Sequence, residues 1–205
     1  MSHKIIAIAR QFGSGGHEVA QRLSDQLGIP LYDRNLVEMA AERMGHSPVS
    51  IEKADESALS SFLAGYQIPK EPNSVTGYGL SLNDSTYVTQ TIIIEALAQK
   101  GPCVIVGRCS DYILDEFPNC LRVFVMAPLE ERARRAREEY GVESVHIENY
   151  VTRQDRYRAS YYNHFVGKKW GDMNNYDLCI NSRIGIEESV TAIQAAALAM
   201  DENGK

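Results

Sequence analysis

Three groups of residues in this chain have types and spacings that could do chemistry. The first is Gly13, Ser14, Gly15 and Gly16, followed by His17 and Glu18, between an apolar run and an amphipathic stretch. Glycines at such a junction accept positive φ and let backbone N–H groups approach phosphate oxygens closely. A helix N-terminus behind them adds a favourable dipole for an anion. The alternative is a tight strand–helix turn that needs glycine for geometry alone, and the cluster carries no lysine. The second group is Asp33 with Arg34, and Arg108 with Asp111, each pair at the end of an apolar run. In an open parallel sheet those carboxyl ends are where ligands bind, and a guanidinium fork suits bidentate phosphate contact. Asp33 reads equally as an N-cap for a helix starting near Asn35. Arg34 reads as a solvated side chain, with a phosphate contact as its alternative.

The third group is basic. In "EERARRAREE", Arg132, Arg134, Arg135 and Arg137 stand among four glutamates, the pattern of a solvated helix face with i,i+3 and i,i+4 pairs. In "RQDRYRASYYNHFVGKKWGD", Arg153, Arg156, Arg158, Lys168 and Lys169 face only Asp155 and Asp172, a local charge of +3. A basic, aromatic-rich stretch of this kind suits a lid that closes over phosphates. Asp155 and Arg158 are spaced for an i,i+3 helical ion pair. Tyr157, Tyr161, Tyr162, Phe165, Trp170 and Tyr176 favour packing over stacking on a base. His146 and His164 have no partners at ligand spacing, and no metal site of the chain's own is expected.

The elements that must position these groups alternate. "KIIAIA" is a buried strand by its β-branched, unbroken apolar run. Val19, Ala20, Leu23 and Leu27 then recur at helical spacing until Gly28 and Pro30. "IPLYD", "CVIVG", "LRVFVM" and "DLCIN" read as four further strands. Helices are expected on Leu36–Met44 positions, from about Thr86 to Gln99, over Leu129, Ala133, Ala136 and Tyr140, and over Ile186, Val190, Ile193 and Ala197. Residues 45–85, rich in Gly, Pro, Ser and Asn around "GYQIPKEPNSVTGYGLSLNDS", read as a loop or flap. Strands alternating with helices imply a parallel sheet covered on both faces. The expectation is a three-layer α/β domain on a five-stranded parallel sheet, with β1 central because its exit carries the glycines.

Bulk properties narrow the classes. A chain of 205 residues with 44% hydrophobic and 23% charged residues suits one soluble domain with a substantial core. A net charge of −6 argues against general nucleic-acid binding. No apolar run approaches the roughly 20 residues that span a bilayer. Arg10 interrupts the first apolar run, which lacks signal-peptide shape. Cys103, Cys109, Cys120 and Cys179 show no metal spacing, so reduced, buried thiols and a cytoplasmic location are expected.

From Ile6 to Asp33 the chain resembles the opening of cytidylate kinases, and is more similar still to cytidylate kinase-like proteins, whose loop reads RQFGSGG. "VIVGR" at 104–108, "APLEERARR" at 127–135, "RQDRYRASYY" at 153–162, "YDLCINS" and "IEESV" extend the resemblance in the same order. It implies a P-loop nucleoside-monophosphate kinase fold in a single domain, 1–205. Residues 34–100 would form the acceptor-binding and insert section, and 141–172 a mobile lid. The implied cofactors are ATP and Mg²⁺, and the implied partners a nucleotide and a small-molecule acceptor. The implied nucleotide-binding residues are Gly13 to Glu18 with Arg132, Arg135 and Arg153. The acceptor residues are Asp33, Arg34, Arg108 and Asp111, and Asp155 with Arg158 matches a catalytic pair; Arg10, in the loop's first-glycine slot, joins that catalytic set by its place at the strand's end and not by the resemblance.

The departures bear on the same residues. Gly16 stands in the slot of the loop lysine, and Glu18 in that of the hydroxyl that helps hold Mg²⁺; a one-residue slip would put His17 in the lysine slot. Cys109 replaces an aspartate after Arg108, so the acidic partner is absent or displaced to Asp111. The missing loop charge is expected from Arg10, which can reach back over a bound anion. Its alternative is a brace paired with Glu18 or Asp33. Two functions follow: transfer of the γ-phosphoryl of ATP or another NTP to a nucleoside monophosphate such as CMP or a related small acceptor, or a catalytically weak nucleotide- or phosphate-binding regulatory module.

Overall fold

A computed structural model of the chain describes residues 4–47, 49–50, 82–117 and 119–202. Five strands form one parallel sheet: β1 (Ile5–Arg10), β2 (Leu31–Tyr32), β3 (Cys103–Val106), β4 (Cys120–Met126) and β5 (Leu178–Asn181). Their order is β2-β3-β1-β4-β5, which places β1 at the centre as its position before the glycines predicts. Seven α-helices accompany them among the described residues: α1 (Gly16–Leu27), α2 (Asn35–Met44), α3 (Leu82–Lys100), α4 (Ser110–Ile113), α5 (Leu129–Glu138), α6 (Ile147–Val166) and α7 (Ile186–Glu202).

The alternation of side chains along a strand divides β1 between two cores. Ile6 and Ile8 pack with Val104, Val106, Val123 and Val125 under α1 (Val19, Leu23) and α7 (Val190, Ile193). Ile5 and Ala7 pack with Cys103 and Ile105 under α2 (Leu36, Ala40) and α3 (Ile93, Ile94, Leu97). Because both faces of β1 are covered, the strand reads as an unbroken apolar run. Truncating a fully buried side chain such as Leu23 to alanine costs about 2–5 kcal/mol at such a site. Parallel registers bring the ends of β1, β3 and β4 to one edge, with Ile8 opposite both Val106 and Val123. The glycine cluster, Arg108 and Pro128 therefore emerge together.

Several local expectations change. α3 starts at Leu82, ahead of Thr86. Most of the 45–85 loop lies outside the described residues. α5 ends at Glu138, so Tyr140 leaves the core face; Gly141 turns the chain at φ 65°, and the Tyr140 ring meets Phe12 edge-on at 5.9 Å. Residues 141–172 contain a 20-residue helix, α6, whose Ile147 and Val151 pack on Ala133 and Ala136 of α5. Its buried positions are few and widely spaced, so charged and aromatic residues mask the helical period. Among the described residues no helix is long and apolar enough to cross a membrane.

Candidate active site

Gly13 and Gly15 adopt φ of 76° and 75°, the left-handed region that side chains resist. Gly16 does not: it is the first helical residue of α1. The loop lies directly on α5, since a Cβ at Gly13 would sit 2.5 Å from the Arg132 carbonyl oxygen. Two buried arginines hold the loop by its carbonyls. Arg135 Nη1 donates to Gly13 O at 2.9 Å, and Arg132 Nη1 donates to Phe12 O at 3.3 Å while its Nε donates to Ala127 O at 3.0 Å. Asp155 completes the brace, accepting from Arg132 Nη1 at 2.5 Å and from the Phe12 N–H at 2.7 Å. Ser14 is fully buried, and its hydroxyl donates to Gln11 O at 2.8 Å.

This arrangement corrects one expectation. Asp155 and Arg158 do not form an i,i+3 pair: Arg158 Nη1 turns the other way and donates to Arg10 O at 2.8 Å. Arg134 and Arg137 keep the solvated face of α5, whereas Arg132 and Arg135, the two that the family resemblance singles out, are 7% and 8% exposed beneath the loop. The signal for them was present, because their spacing from Ala133 and Ala136 places them on the same side of α5.

Arg10, at the end of β1, reaches across the sheet edge. Its Nη2 donates to Asp33 Oδ1 at 3.2 Å, and Asp33 Oδ2 lies 2.7 Å from His17 Nδ1. Asp33 therefore joins the strand end to the first turn of α1 and is not the N-cap of α2, a position held by the exposed Arg34 without a side-chain bond. Glu18 pairs with Arg22 at 2.6 Å, and Arg22 also meets Glu187, so Glu18 belongs to a surface network with α7 and not to Arg10. Arg153 is exposed, its guanidinium 5.4 Å from the centre of the Tyr150 ring.

Beside the loop lies a cavity of about 340 Å³. Arg10, Arg108 and Arg158 all line it, with aromatic walls from Tyr157, Tyr161 and Trp170. The arginines are electrostatically loaded. Burial lowers the Arg10 pKa, Asp33 opposes that shift, and Arg108 adds to it. Burial, then the neighbouring Arg10 charge, bring Arg158 down to about 9. Like charges in a desolvated site are unfavourable until an anion joins them.

Asp111 also lines the cavity and is 2% exposed. Burial pushes its carboxyl up to about 6, against the lowering effect of a hydrogen bond with Tyr162. Among the described residues its Oδ2 has no hydrogen-bond partner. The turn that delivers Arg108 and Asp111 is unusual: Gly107, Arg108 and Cys109 are successively left-handed at φ 75°, 55° and 57°. For the two non-glycine residues that conformation costs about 1–2 kcal/mol each. Such a backbone at a strand exit is a frequent mark of ligand sites. Among the described residues, no three His, Cys, Asp or Glu side chains converge as a metal site.

Sequence reasoning missed Gly107 and Cys109 as cavity residues, and it weighed Tyr157, Tyr161, Tyr162 and Trp170 toward packing. Their signal was a tyrosine pair at i,i+4, which packing and ligand contact share. Tyr162 and Tyr176 are buried, whereas Tyr157, Tyr161 and Trp170 are half-buried on the cavity wall. Cys103, Cys109 and Cys120 are buried and Cys179 is half-buried, none of them in a disulfide among the described residues.

A glycine loop between a central parallel strand and its helix, with arginines at the same sheet edge, defines a P-loop kinase fold. Residues 5–184 match the cytidylate kinase-like family, and the chain belongs to that family. No functionally curated protein matches it. Among solved structures, an uncharacterized protein from Eubacterium ventriosum is 28% identical over 95% of this chain and 98% of its own, with a TM-score of 0.68. A gluconokinase from Sinorhizobium meliloti (15% identity, 98% and 94% coverage, TM-score 0.58) and a shikimate kinase from Bacteroides thetaiotaomicron (15%, 95% and 98%, 0.53) share the fold.

Proposed function

We propose that this chain is a phosphotransferase that moves the γ-phosphoryl of ATP, or another NTP, to a nucleoside monophosphate such as CMP or a related small acceptor. One observation carries the reading: Arg10, Arg108 and Arg158 line a single cavity beside the glycine loop, and burial disfavours the charges of Arg10 and Arg158 until an anion arrives. The family and the small-molecule kinases that share the fold support it. Loop amides and the α1 N-terminus would hold the donor phosphates. Arg108 would hold the acceptor's anionic group, with Arg34 and Asp33 at its border. Asp111, with an unpartnered acceptor oxygen, would take a hydrogen bond from the acceptor's far end. Arg153, exposed on α6, would reach the nucleotide as residues 141–172 close over it.

Mg²⁺ would travel with the nucleotide. Ser14 is buried and bonded to Gln11, and Glu18 is taken by Arg22, so neither loop side chain suits it as a ligand. Catalysis by the chain itself is positioning and electrostatic stabilisation. The test is an acceptor panel with ATP, run on the wild type and Arg108→Ala. Acceptor-dependent ADP release, with KM for the acceptor raised at least about tenfold in the variant and melting unchanged, supports the reading. The absence of a loop lysine favours a second reading, a regulatory phosphate-binding module; tight ATP binding with no turnover on any acceptor would select it.

A further inference from the structure

Gly16 poses a problem that its own backbone does not solve. Gly13 and Gly15 need glycine for positive φ, but Gly16 is helical, and a helix start tolerates most residues. What excludes a side chain there is Arg10. A Cβ on Gly16 would sit 2.6 Å from Arg10 Cβ and 3.0 Å from Arg10 Cγ. Those are stem atoms next to the main chain, so they cannot swing aside as a side-chain tip can. Farther out, a Cβ on Gly107 would collide with Arg10 Nη1. The arginine thus runs through a slot floored by two glycines from different strand exits. Asp33 holds its Nη2 at 3.2 Å, and its side chain is 20% exposed, facing the cavity.

We infer that Arg10 is a catalytic residue that supplies the cation of this lysine-less loop, and that Gly16 is a glycine because the Arg10 side chain occupies the space above it. This rests on the phosphotransfer reading of the site. The resting pair with Asp33 does not compete with that role: it fixes the guanidinium beside the loop, and a guanidinium has donors to spare after one carboxylate contact. In the transfer itself an acceptor oxygen bonds to the γ-phosphorus. The bond from that phosphorus to the β–γ bridging oxygen breaks, and the electron pair leaves on the nucleoside diphosphate. Arg10 moves no proton; it stays cationic and offsets the charge that grows on the bridging and γ oxygens.

The slot makes a reciprocal prediction. Lysine at 16 and arginine at 10 exclude each other, so each is expected to work only without the other. Arg10→Ala, Gly16→Lys and the double variant Arg10→Gly with Gly16→Lys are compared for melting temperature, ATP affinity by calorimetry, and kcat and KM. Arg10→Ala is expected to keep a cooperative melt, weaken ATP by about tenfold or more, and lower kcat by about 10²–10³. Gly16→Lys alone is expected to lower the melting temperature and ATP affinity, because its Cβ meets the arginine stem. The double variant carries glycine at 10, because alanine would keep the Cβ that stands 2.6 Å from the new one; there the lysine enters the vacated slot, restoring the melt and at least about tenfold of the affinity lost in Arg10→Ala. A Gly16→Lys single variant as stable and tight-binding as wild type would overturn the inference. So would a well-folded double variant that binds ATP no better than Arg10→Ala. If all proteins follow the expected ATP-binding pattern but none phosphorylates any acceptor, the phosphotransfer reading fails while the shared slot stands.

Discussion

The brace beneath the loop sets a stability that can be measured. Arg132 and Asp155 form an ion pair at 2.5 Å with side chains only 8% and 14% exposed. Removing one member of such a pair leaves the other charge buried, at a cost of about 3–5 kcal/mol. Asp155→Ala also strips the Phe12 N–H of its acceptor, adding about 1–3 kcal/mol where that group stays dry. In a domain of this size each kcal/mol lowers the melting temperature by about 2–4 °C, so a fall of at least about 6–12 °C is expected. Asp155→Asn keeps an oxygen for Phe12 and is expected to cost less than the alanine variant. Replacing both charges, as Arg132→Met with Asp155→Leu, removes the uncompensated charge. That double variant is expected to lie well above the sum of the two single losses, by about 2 kcal/mol or more. Chemical denaturation reads the wild type, Arg132→Met, Asp155→Leu and their double variant as a double-mutant cycle, with Asp155→Ala and Asp155→Asn beside it. A loss below about 1 kcal/mol for Asp155→Ala would place the pair among weak surface bridges. The loop would then not depend on α6, and Asp155 would be free for chemistry.

Three further outcomes are expected. Asp111, raised from 3.8 to about 6 chiefly by burial, keeps its proton in the folded state at pH values where the unfolded chain has lost it. Its contribution is therefore full below about pH 4 and lost as pH climbs through 6, by about 3 kcal/mol. Asp111→Asn should raise the melting temperature at pH 7.5 and leave it nearly unchanged at pH 4; parallel curves for the two proteins would refute the assignment. Gly13→Ala, with φ 76° and a backbone oxygen 2.5 Å from the new Cβ, should cost more than about 2 kcal/mol by urea denaturation. Gly28→Ala, at φ 64° in open space, should cost only about 1 kcal/mol, and equal losses would show that the loop does not press on α5. Hydrogen exchange over 141–172 should slow when nucleotide binds, and unchanged exchange at saturation would remove the lid from the mechanism.

What the sequence disclosed depended on how local the cause was. The central strand, the glycine turn and the sheet edge were legible because β1 is apolar on both faces and its neighbours obey the same rule. Arg108 was legible for the same reason, since any residue after β3 must emerge at the ligand edge. The roles of Arg132, Arg135 and Asp155 were not. Their partners lie 23 to 143 residues away or on backbone carbonyls, which no spacing rule encodes. The Asp155–Arg158 spacing suggested a pair that a stronger, long-range competition broke: Asp155 found a buried arginine and a loop N–H, and Arg158 a carbonyl at the end of β1.

The three loop glycines show why a motif read as letters undersells its physics. Gly13 is required by its positive φ and by the α5 carbonyl pressed against it, a backbone constraint from another element. Gly15 is required first by its own conformation at φ 75°. Gly16 has neither reason and is glycine because a neighbouring arginine needs the room. Only the third depends on a side chain alone, so only the third can be exchanged by changing a second residue. A loop that has lost its lysine has not thereby lost its charge, because the same volume can be filled from the preceding strand. The residue to inspect in such a chain is therefore the one at the strand end, together with the glycine that makes way for it.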